Sequence, residues 1–277
     1  MTREEMERLA RLALDEDLGG AGDITSKAVI EDGSVSHAHL VVREEGVVCG
    51  LELAGVVFEM VDGDLHFERA HDGGMHSAGD VVGRVQGSTR SILAAERSAL
   101  NLAGRASGVA TATAAFVSAV AGTGAVITDT RKTMPGLRVL DKYAVRVGGG
   151  VNHRMGLYDA VMIKDNHIAA AGDLAAAVAA ARDATGPEVQ LVVEVEDLDQ
   201  LKKVLRTDAD RVLLDNMSLS QLREAVALCG GAMTTEASGG VSIDNVREIA
   251  ETGVDVISVG WITHSAPQLD LALDFVS

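Results

Sequence analysis

The residues with the clearest capacity for chemistry lie in one stretch of the sequence, between Asp129 and His167. The whole chain of 277 residues has 41 acidic and 24 basic side chains and a net charge of −17. This stretch has only four acidic residues, but it holds two histidines and seven cations: Arg131, Lys132, Arg138, Lys142, Arg146, Arg154 and Lys164. A strongly acidic protein that concentrates positive charge in this way is expected to bind an anion there.

The cations fall into two groups. Arg138, Lys142 and Arg146 are spaced by four residues, which is typical of cations on the surface of one helix. The second group follows short apolar runs and consists of Arg131, Lys132, His153, Arg154 and Lys164. At an effective dielectric constant of about 20, two like charges about 4 Å apart cost about 4 kcal/mol, so their convergence needs a multiply anionic ligand. Arginine forks suit carboxylates or phosphates, and lysine supplies a compact charge.

Two carboxylates also end apolar runs, namely Glu194 in "VVEV" and Asp215 in "LLD". Each could hold ribose hydroxyls, bind a magnesium ion or stabilise a developing carbocation. Asp215 could equally cap the helix expected from "NMSLSQLREAV".

Glycines follow the last two apolar runs, in "EASGG" (236–240) and "SVGWITHS" (258–265). Glycine lets backbone amides approach a phosphate closely, and the next helix begins with a favourable dipole. Turns need glycine anyway, but two successive examples beside a group of cations favour a phosphate site.

Short β-branched runs position all of these residues. They are "AVIT" (125–128), "AVMI" (160–163), "VQLVVEV" (189–195), "RVLL" (211–214), "MTTE" (233–236) and "VISV" (256–259), and Ala- and Leu-rich helical stretches separate them. This alternation predicts a parallel sheet, either open and doubly wound or closed as a barrel. Because polar residues follow nearly every run, the shared mouth of a barrel is favoured. With "VNHR" as a further strand or a long loop, we expect an incomplete barrel of six or seven strands.

The first hundred residues are mixed. An amphipathic helix is predicted from about Glu4 to Leu18, followed by strand-rich pieces and a helical "LELAGVVFEMV". A long helix then begins near residue 89, in which Gly104 and Gly108 indicate a break or a point of close packing.

Composition excludes several classes of protein. The chain has no apolar run of about 18 residues and no apolar leader at its N-terminus, so we expect a soluble, cytoplasmic protein without a membrane span. The net charge of −17 argues against a nucleic-acid partner. Cys49 and Cys229 are far apart and outside any CxxC pair, so both are interpreted as buried thiols.

The successive motifs resemble those of the quinolinate phosphoribosyltransferase family along essentially the whole chain. They are "LDEDLGGAGDITS", "ERSALNLAGRASGVAT", "DTRKTMPGLRVLDKYAVRVGGGVNHRMGLYDAVMIKDNHI", "VEVEDLDQL", "LLDN", "EASGGVS" and "SVGWITHS". The resemblance implies transfer of the phosphoribosyl group of phosphoribosyl pyrophosphate to quinolinate with decarboxylation, a step of NAD biosynthesis. It also implies Mg²⁺ as the cofactor and a homodimer with shared active sites.

The family fold implies an N-terminal α/β sandwich domain, here residues 1–108, and an α/β barrel domain, here residues 109–267. We expect a C-terminal helix at 268–277 to join the first domain.

By matching motifs, the resemblance also implies a role for each site residue. The quinolinate shell would be Thr130, Arg131, His153, Arg154 and Lys164, with Arg97 reaching across the dimer. The catalytic residues would be Lys132, Glu194 and Asp215, and the last two would also lie near the metal, possibly through water. The phosphate site would be Ser238, Gly239, Gly240, Gly260, Trp261 and His264.

Trp261 departs from the family pattern, in which a small residue follows the glycine; the indole must point away if only the backbone amide is used. Three alternatives stay open at this point. They are a paralogue acting on another heteroaromatic acid, a Schiff-base aldolase using Lys164, and a non-catalytic anion-binding module. The "VNHR" motif favours quinolinate, because a dicarboxylate needs the additional His and Arg.

Overall fold

The computed structural model describes residues 1–276. Its helices are α1 (Arg3–Leu18), α2 (Ile24–Val29), α3 (Leu51–Val61), α4 (Thr89–Ala119), α5 (Arg138–Val147), α6 (Asp165–Ala171), α7 (Leu174–Thr185), α8 (Leu198–Val204), α9 (Leu219–Cys229), α10 (Val246–Ala250) and α11 (Trp261–His264). Its strands are β1 (Val35–Val42), β2 (Gly46–Val47), β3 (His66–Arg69), β4 (Met75–His76), β5 (Val81–Ser88), β6 (Val126–Thr128), β7 (Val161–Ile163), β8 (Leu191–Val195), β9 (Arg211–Asp215), β10 (Thr234–Ser238), β11 (Val256–Ser258) and β12 (Leu271–Val276). None of these helices combines the length and apolar character needed to cross a membrane.

The chain forms two compact units. Unit 1 comprises Met1–Ala114, Met134–Gly149 and the segment from Ser265 onward; unit 2 comprises Ala115–Thr133 and Gly150–His264. The division between residues 108 and 109 that the sequence suggests stays a prediction. By compactness, α5 and the C-terminal segment group with unit 1, and α4 runs through the point of division.

Unit 1 is built on a four-stranded antiparallel sheet with the order β12-β1-β5-β3. The predicted first helix is confirmed as α1. It begins with a capping box in which Thr2 and Glu5 satisfy each other's backbone N–H groups, and it buries Leu9, Ala10 and Leu14 against the unit. The predicted helix at "LELAGVVFEMV" is also confirmed, as α3. A second, two-stranded sheet pairs β2 with β4. The helices together with the four-stranded sheet form the expected α/β sandwich.

The expected C-terminal helix at 268–277 is wrong. Residues Leu271–Val276 form β12, which pairs antiparallel with β1 from Val42↔Leu271 to His37↔Val276. Leu and Ala favour helices when isolated, but hydrogen bonding to an open sheet edge overrides that weak preference.

Helix α4 is continuous, so Gly104 and Gly108 mark close packing and not a break. A Cβ atom on Gly108 would lie 1.9 Å from the carbonyl oxygen of Pro267, and one on Gly104 would lie 3.0 Å from that of Leu269. The backbone of the C-terminal segment therefore lies directly against this face of the helix.

Helix α5 corrects one prediction about the cations. Arg146 is exposed, as expected, but Lys142 is fully buried and Arg138 is half-buried. Asp141 is also fully buried, with its Oδ1 atom 2.9 Å from Nε of Arg105. The regular spacing of the cations did not predict their exposure, because α5 has buried residues on more than one of its faces.

Unit 2 contains a six-stranded parallel sheet with the order β6-β11-β10-β9-β8-β7. All six predicted strands are present within two residues of their expected bounds. Among the described residues the edge strands β6 and β7 are not paired with each other, which agrees with the expected incomplete barrel. The sequence leaves open whether "VNHR" is a strand or a loop. Its first residue, Val151, forms a single parallel bridge with Thr128, the last residue of β6.

Candidate active site

The carboxyl ends of the six parallel strands surround a cavity of about 350 Å³ in unit 2. Its lining consists of Thr130, Arg131, Lys132, His153, Arg154, Met162, Lys164, Glu194, Leu213, Asp215, Glu236, Ser238 and Ser258. Nine of these are residues that the sequence singles out, and they come from segments far apart in the chain. The structure therefore brings the second group of cations and both carboxylates to one place.

The two arginines of the cavity influence each other. Burial lowers the pKa of Arg154, and the positive charge of Arg131 lowers it further, while Asp159 acts in the opposite direction. A guanidinium whose pKa is lowered by a second cation is held in a place that suits an anion.

Two residues with separately predicted roles contact each other. Nζ of Lys164 donates a short hydrogen bond to Oε2 of Glu194, and the two side chains are 41% and 16% exposed. Lys164 directly follows β7 and Glu194 lies on the neighbouring β8, so parallel pairing places them side by side. In the ligand-free cavity, the charge of Lys164 is thus partly neutralised by a neighbour.

The segment after β11 supports Lys132. The Thr263 hydroxyl donates to the Lys132 carbonyl over 2.8 Å, and the Lys132 amide donates to Oγ1 of Thr130 over 3.0 Å. A Cβ atom on Gly260 would lie 3.2 Å from Cδ of Lys132. Gly260 therefore leaves room for the lysine stem, which is a reason for glycine that does not involve phosphate.

The turns after β9 and β10 interlock beside Asp215. Asn216, at φ 54°, donates its backbone N–H to the Ser238 carbonyl over 2.8 Å and its side-chain amide to Oδ2 of Asp215 over 2.7 Å. A Cβ atom on Gly239 would lie 2.1 Å from Oδ1 of Asn216, and Gly239 has a φ of 94°. Glycine is thus required there by both space and backbone conformation.

Six predicted residues do not line the cavity: Arg97, Gly239, Gly240, Gly260, Trp261 and His264. Gly239, Gly240 and Gly260 directly follow or lie next to the strand ends that do. The indole of Trp261 points toward Phe116, with ring centroids 6.1 Å apart, so its bulk lies outside the cavity. His264 is exposed at the end of α11, and Arg97 is exposed on α4 in unit 1. The roles implied for all of them stay predictions.

Glu236 is a cavity residue that sequence reasoning missed. It is fully buried on β10, where its carboxylate meets Arg211, His153 and the Ser258 hydroxyl. Burial raises the pKa of Glu236, but the contact with His153, the hydrogen bond from the Ser258 hydroxyl and the charge of Arg211 outweigh it and hold this pKa below its usual value. The signal in the sequence was a glutamate at the end of the β-branched run "MTTE".

The residues present fit a Mg²⁺ ion that is shared with a substrate. The described residues contain no cluster of three or more side chains of the kinds that hold a metal ion alone. Glu194 and Asp215 both line the cavity, and Mg²⁺ is usually bound by one or two carboxylates together with substrate phosphates.

Two family models match this chain. "Quinolinate phosphoribosyl transferase, N-terminal domain" matches residues 23–107, and "Quinolinate phosphoribosyl transferase, C-terminal domain" matches residues 109–274. A nicotinate-nucleotide pyrophosphorylase [carboxylating] of Mycobacterium leprae is 46% identical over 270 residues, covering 95% of either chain. A quinolinate phosphoribosyltransferase [decarboxylating] of Nicotiana tabacum is 43% identical over 97% of this chain and 82% of its own.

Solved structures give the same result. The nicotinate-nucleotide pyrophosphorylase of Francisella tularensis superposes with a TM-score of 0.95 at 38% identity, over 100% of this chain and 98% of the other. NadC of Streptococcus pyogenes has a TM-score of 0.95 at 37% identity, over 100% and 99% of the two chains.

Proposed function

The chain belongs to the quinolinate phosphoribosyltransferase family, and on that premise we propose how its cavity performs the family reaction. The protein is a transferase that joins the phosphoribosyl group of phosphoribosyl pyrophosphate to quinolinate. The products are nicotinate mononucleotide, pyrophosphate and carbon dioxide, and the reaction serves NAD biosynthesis. One observation carries the assignment of the site: a chain with a net charge of −17 lines this one cavity with Arg131, Lys132, Arg154 and Lys164.

Quinolinate occupies the part of the cavity near Arg131, Arg154 and Lys164. Its two carboxylates match the forked and point-like donors that these side chains offer. Met162 and Leu213 supply apolar surface for the pyridine ring. Binding draws Lys164 away from Glu194, so the cation exchanges an internal partner for the substrate.

The phosphoribosyl half lies beside Lys132, Glu194 and Asp215. Ser238, with Gly239, Gly240, Gly260, Trp261 and His264 around it, receives the 5′-phosphate, and Trp261 contributes only its backbone. Glu194 and Asp215 would hold Mg²⁺ together with oxygens of the substrate. When bound, Mg²⁺ supplies charge neutralisation to the departing pyrophosphate.

The chemistry proceeds in two steps. The bond from C1 of the ribose to the pyrophosphate oxygen breaks, its electron pair leaves with pyrophosphate, and the pyridine nitrogen bonds to C1. Lys132 stabilises the leaving charge, and Glu194 or Asp215 stabilises the positive charge that develops on the sugar. The bond between the carboxylate and the ring carbon next to the quaternary nitrogen then breaks, and carbon dioxide departs. The electron pair of that bond stays on the ring carbon, where the adjacent positive nitrogen stabilises it, and a proton from solvent then bonds to the same carbon.

The partners and location follow from the same proposal. The protein acts as a homodimer in which Arg97 of each subunit completes the other subunit's site, and higher assemblies are compatible with this. Arg97 is an exposed cation on α4 and is therefore available for such a contact. The enzyme acts in the cytoplasm.

The direct test is to incubate the protein with quinolinate, phosphoribosyl pyrophosphate and Mg²⁺ and to measure pyrophosphate and carbon dioxide together. Equal amounts of both are expected. Nicotinate in place of quinolinate is the control, because it lacks the second carboxylate. Equal pyrophosphate release with nicotinate, or none with quinolinate, would contradict the proposal.

A further inference from the structure

A line of charged and polar groups runs through the interior of the unit 2 sheet to the cavity. Its centre is Glu236, whose Oε2 atom lies 3.1 Å from Nη1 of Arg211 and 3.3 Å from Nε2 of His153. The Ser258 hydroxyl donates to the other carboxylate oxygen. Glu236 is 0% exposed, and a buried carboxylate costs several kcal/mol unless it is well paired. Each of these contacts therefore helps to offset the cost of burying the Glu236 carboxylate.

His153 uses its other ring nitrogen within the protein. The backbone N–H of Arg154 donates to Nδ1 of His153 over 2.7 Å. A backbone amide can only donate, so Nδ1 must carry a lone pair and the ring proton must lie on Nε2. Nε2 faces Glu236. The contacts thus select the neutral Nε2–H tautomer and leave His153 without a second N–H group for a substrate carboxylate.

The same segment is held from its other side by Asp129. The His153 backbone N–H donates to Oδ1 of Asp129 over 3.0 Å, and the Asn152 side-chain amide donates to Oδ2 over 2.6 Å. Asp129 directly follows β6 and is fully buried. Residues 152–154 are therefore fixed between a carboxylate after β6 and another on β10.

Arg154 depends on this arrangement because no helix or strand contains it. After the single bridge at Val151, regular structure resumes only at β7. The Arg154 guanidinium donates to the Ala160 carbonyl over 3.1 Å, beside the repelling charge of Arg131. Because Arg131 repels the Arg154 guanidinium, the backbone of Arg154 must be held in place if the side chain is to stay in the cavity of the ligand-free protein.

We propose that Glu236 is a positioning residue of the quinolinate site: it fixes His153 as the Nε2–H tautomer, so that Nδ1 anchors the backbone of Arg154. The ligand class rests on the proposed function. Under this proposal His153 acts through Arg154, and the direct contact with quinolinate that the family resemblance implies is not needed.

The tautomer is tested on the ligand-free protein. Long-range ¹H–¹⁵N spectra of the imidazole rings distinguish the two tautomers and the imidazolium, and a His153→Asn variant identifies the signal among the eight histidines. The Nε2–H pattern is expected at neutral pH. An imidazolium or an Nδ1–H pattern at His153 would overturn the proposal, whether or not the protein turns over quinolinate.

Kinetics separate positioning from a merely structural role. In Glu236→Gln, the KM for quinolinate is expected to rise about 10- to 100-fold, as for other partners that orient a binding group, with little change in the KM for phosphoribosyl pyrophosphate. The matched control is Asp210→Asn, because Asp210 bonds to Arg182 and to the Leu191 amide at the opposite ends of the strands. The control is expected to leave both KM values unchanged. An equal rise in both KM values in Glu236→Gln would contradict the proposal.

Two substitutions of His153 keep the proposal testable if Glu236→Gln does not fold. Asparagine retains an acceptor near the position of Nδ1, whereas phenylalanine retains the ring and loses the acceptor. Because an unsatisfied backbone N–H in a partly buried place is costly, His153→Asn is expected to bind quinolinate about tenfold more tightly than His153→Phe in calorimetry. Equal or reversed affinities would count against anchoring through Nδ1. Failure of the family reaction itself would instead appear as no quinolinate binding by the unmodified protein.

Discussion

Individual side chains in the cavity are paired before any substrate arrives. Lys164 and Glu194 are bonded to each other, and Glu236 is shared by His153 and Arg211. Lys164 thus has a partner inside the ligand-free cavity, and under the proposed function substrate binding exchanges that partner for a carboxylate of quinolinate. The affinity for quinolinate should therefore depend on the carboxylates as well as on the cations.

Glu194→Gln is expected to bind quinolinate roughly two- to tenfold more tightly in the absence of the second substrate, because Lys164 loses a competing carboxylate. The same variant should turn over poorly, since Glu194 stabilises the sugar cation under the proposed function. Calorimetry with quinolinate alone measures the first effect and pyrophosphate release the second. Weaker quinolinate binding would show that Glu194 helps to orient Lys164 and does not compete for it.

Arg131→Ala is expected to weaken quinolinate binding by about 2–5 kcal/mol, roughly 30- to 5,000-fold, because it removes one partner of a charge-assisted contact inside a cavity. The melting temperature should stay close to that of the unmodified protein. Lys202→Ala is a suitable control, since Lys202 pairs with Asp199 on the exposed surface of α8. Calorimetric titration decides the matter, and an unchanged affinity would remove Arg131 from the site.

The two cysteines make a simple prediction. Cys49 and Cys229 are free and 0% and 3% exposed, and burial raises the pKa of both thiols. A thiol reagent near pH 8 is therefore expected to modify neither residue in the native protein and both in denaturant. Rapid modification of the native protein would indicate local opening near α3 or α9.

At this scale the sequence predicts polar residues that could bind a ligand directly, but not those that act through contacts with other side chains. Arg131, Lys164 and Asp215 could be found because polar side chains follow apolar runs. Glu236 and Asp129 could not, because their importance lies in contacts with His153 that only the folded chain creates. Lys142 was misassigned for the same reason: spacing along a helix does not reveal what covers it.

Among the elements, α4 has the tightest approach to another part of unit 1. Gly108→Ala is expected to destabilise the protein by about 2 kcal/mol or more, because the new Cβ would have to displace the Pro267 carbonyl, although alanine favours helices. For a chain of this length, that corresponds to a melting temperature roughly 4 °C lower or more.

Gly63→Ala is the matched control for this substitution, since nothing lies within 4 Å of the Cβ it would add. It should change the melting temperature little. Equal melting temperatures for the two variants would mean that the C-terminal segment moves away from α4 without cost.

The sequence predicts the elements of unit 2 better than those of unit 1. Its parallel strands are buried, regularly spaced and separated by helices, so each one is visible as a local pattern. β12 is different, since "LDLALDFV" suits either a helix or a strand, and its partner β1 lies at the other end of the chain. Local preference cannot decide between them when the deciding contact is so distant in sequence.

For the whole molecule, the proposed shared site predicts complementation. Arg97→Ala and Lys132→Ala chains are each expected to be nearly inactive alone. After dissociation and mixing, heterodimers regain one intact site each, so random exchange should restore about a quarter of the unmodified activity. The control is to mix Lys132→Ala with Lys164→Ala, because both residues belong to the same cavity and no intact site can form.

No recovery in the first mixture would contradict the shared site, provided that subunit exchange is verified with two differently tagged chains. Recovery in the control mixture would place Lys132 and Lys164 in different sites.

The pairing of β12 with β1 has a consequence for protein synthesis. β1 is made early, but its partner on one side emerges from the ribosome only after all of unit 2 has been translated. Until then β1, with buried residues such as Leu40 and Val42, presents an open sheet edge on the nascent chain. Chaperone occupancy during translation should therefore persist on the N-terminal segment, and stalled chains that lack β12 should aggregate.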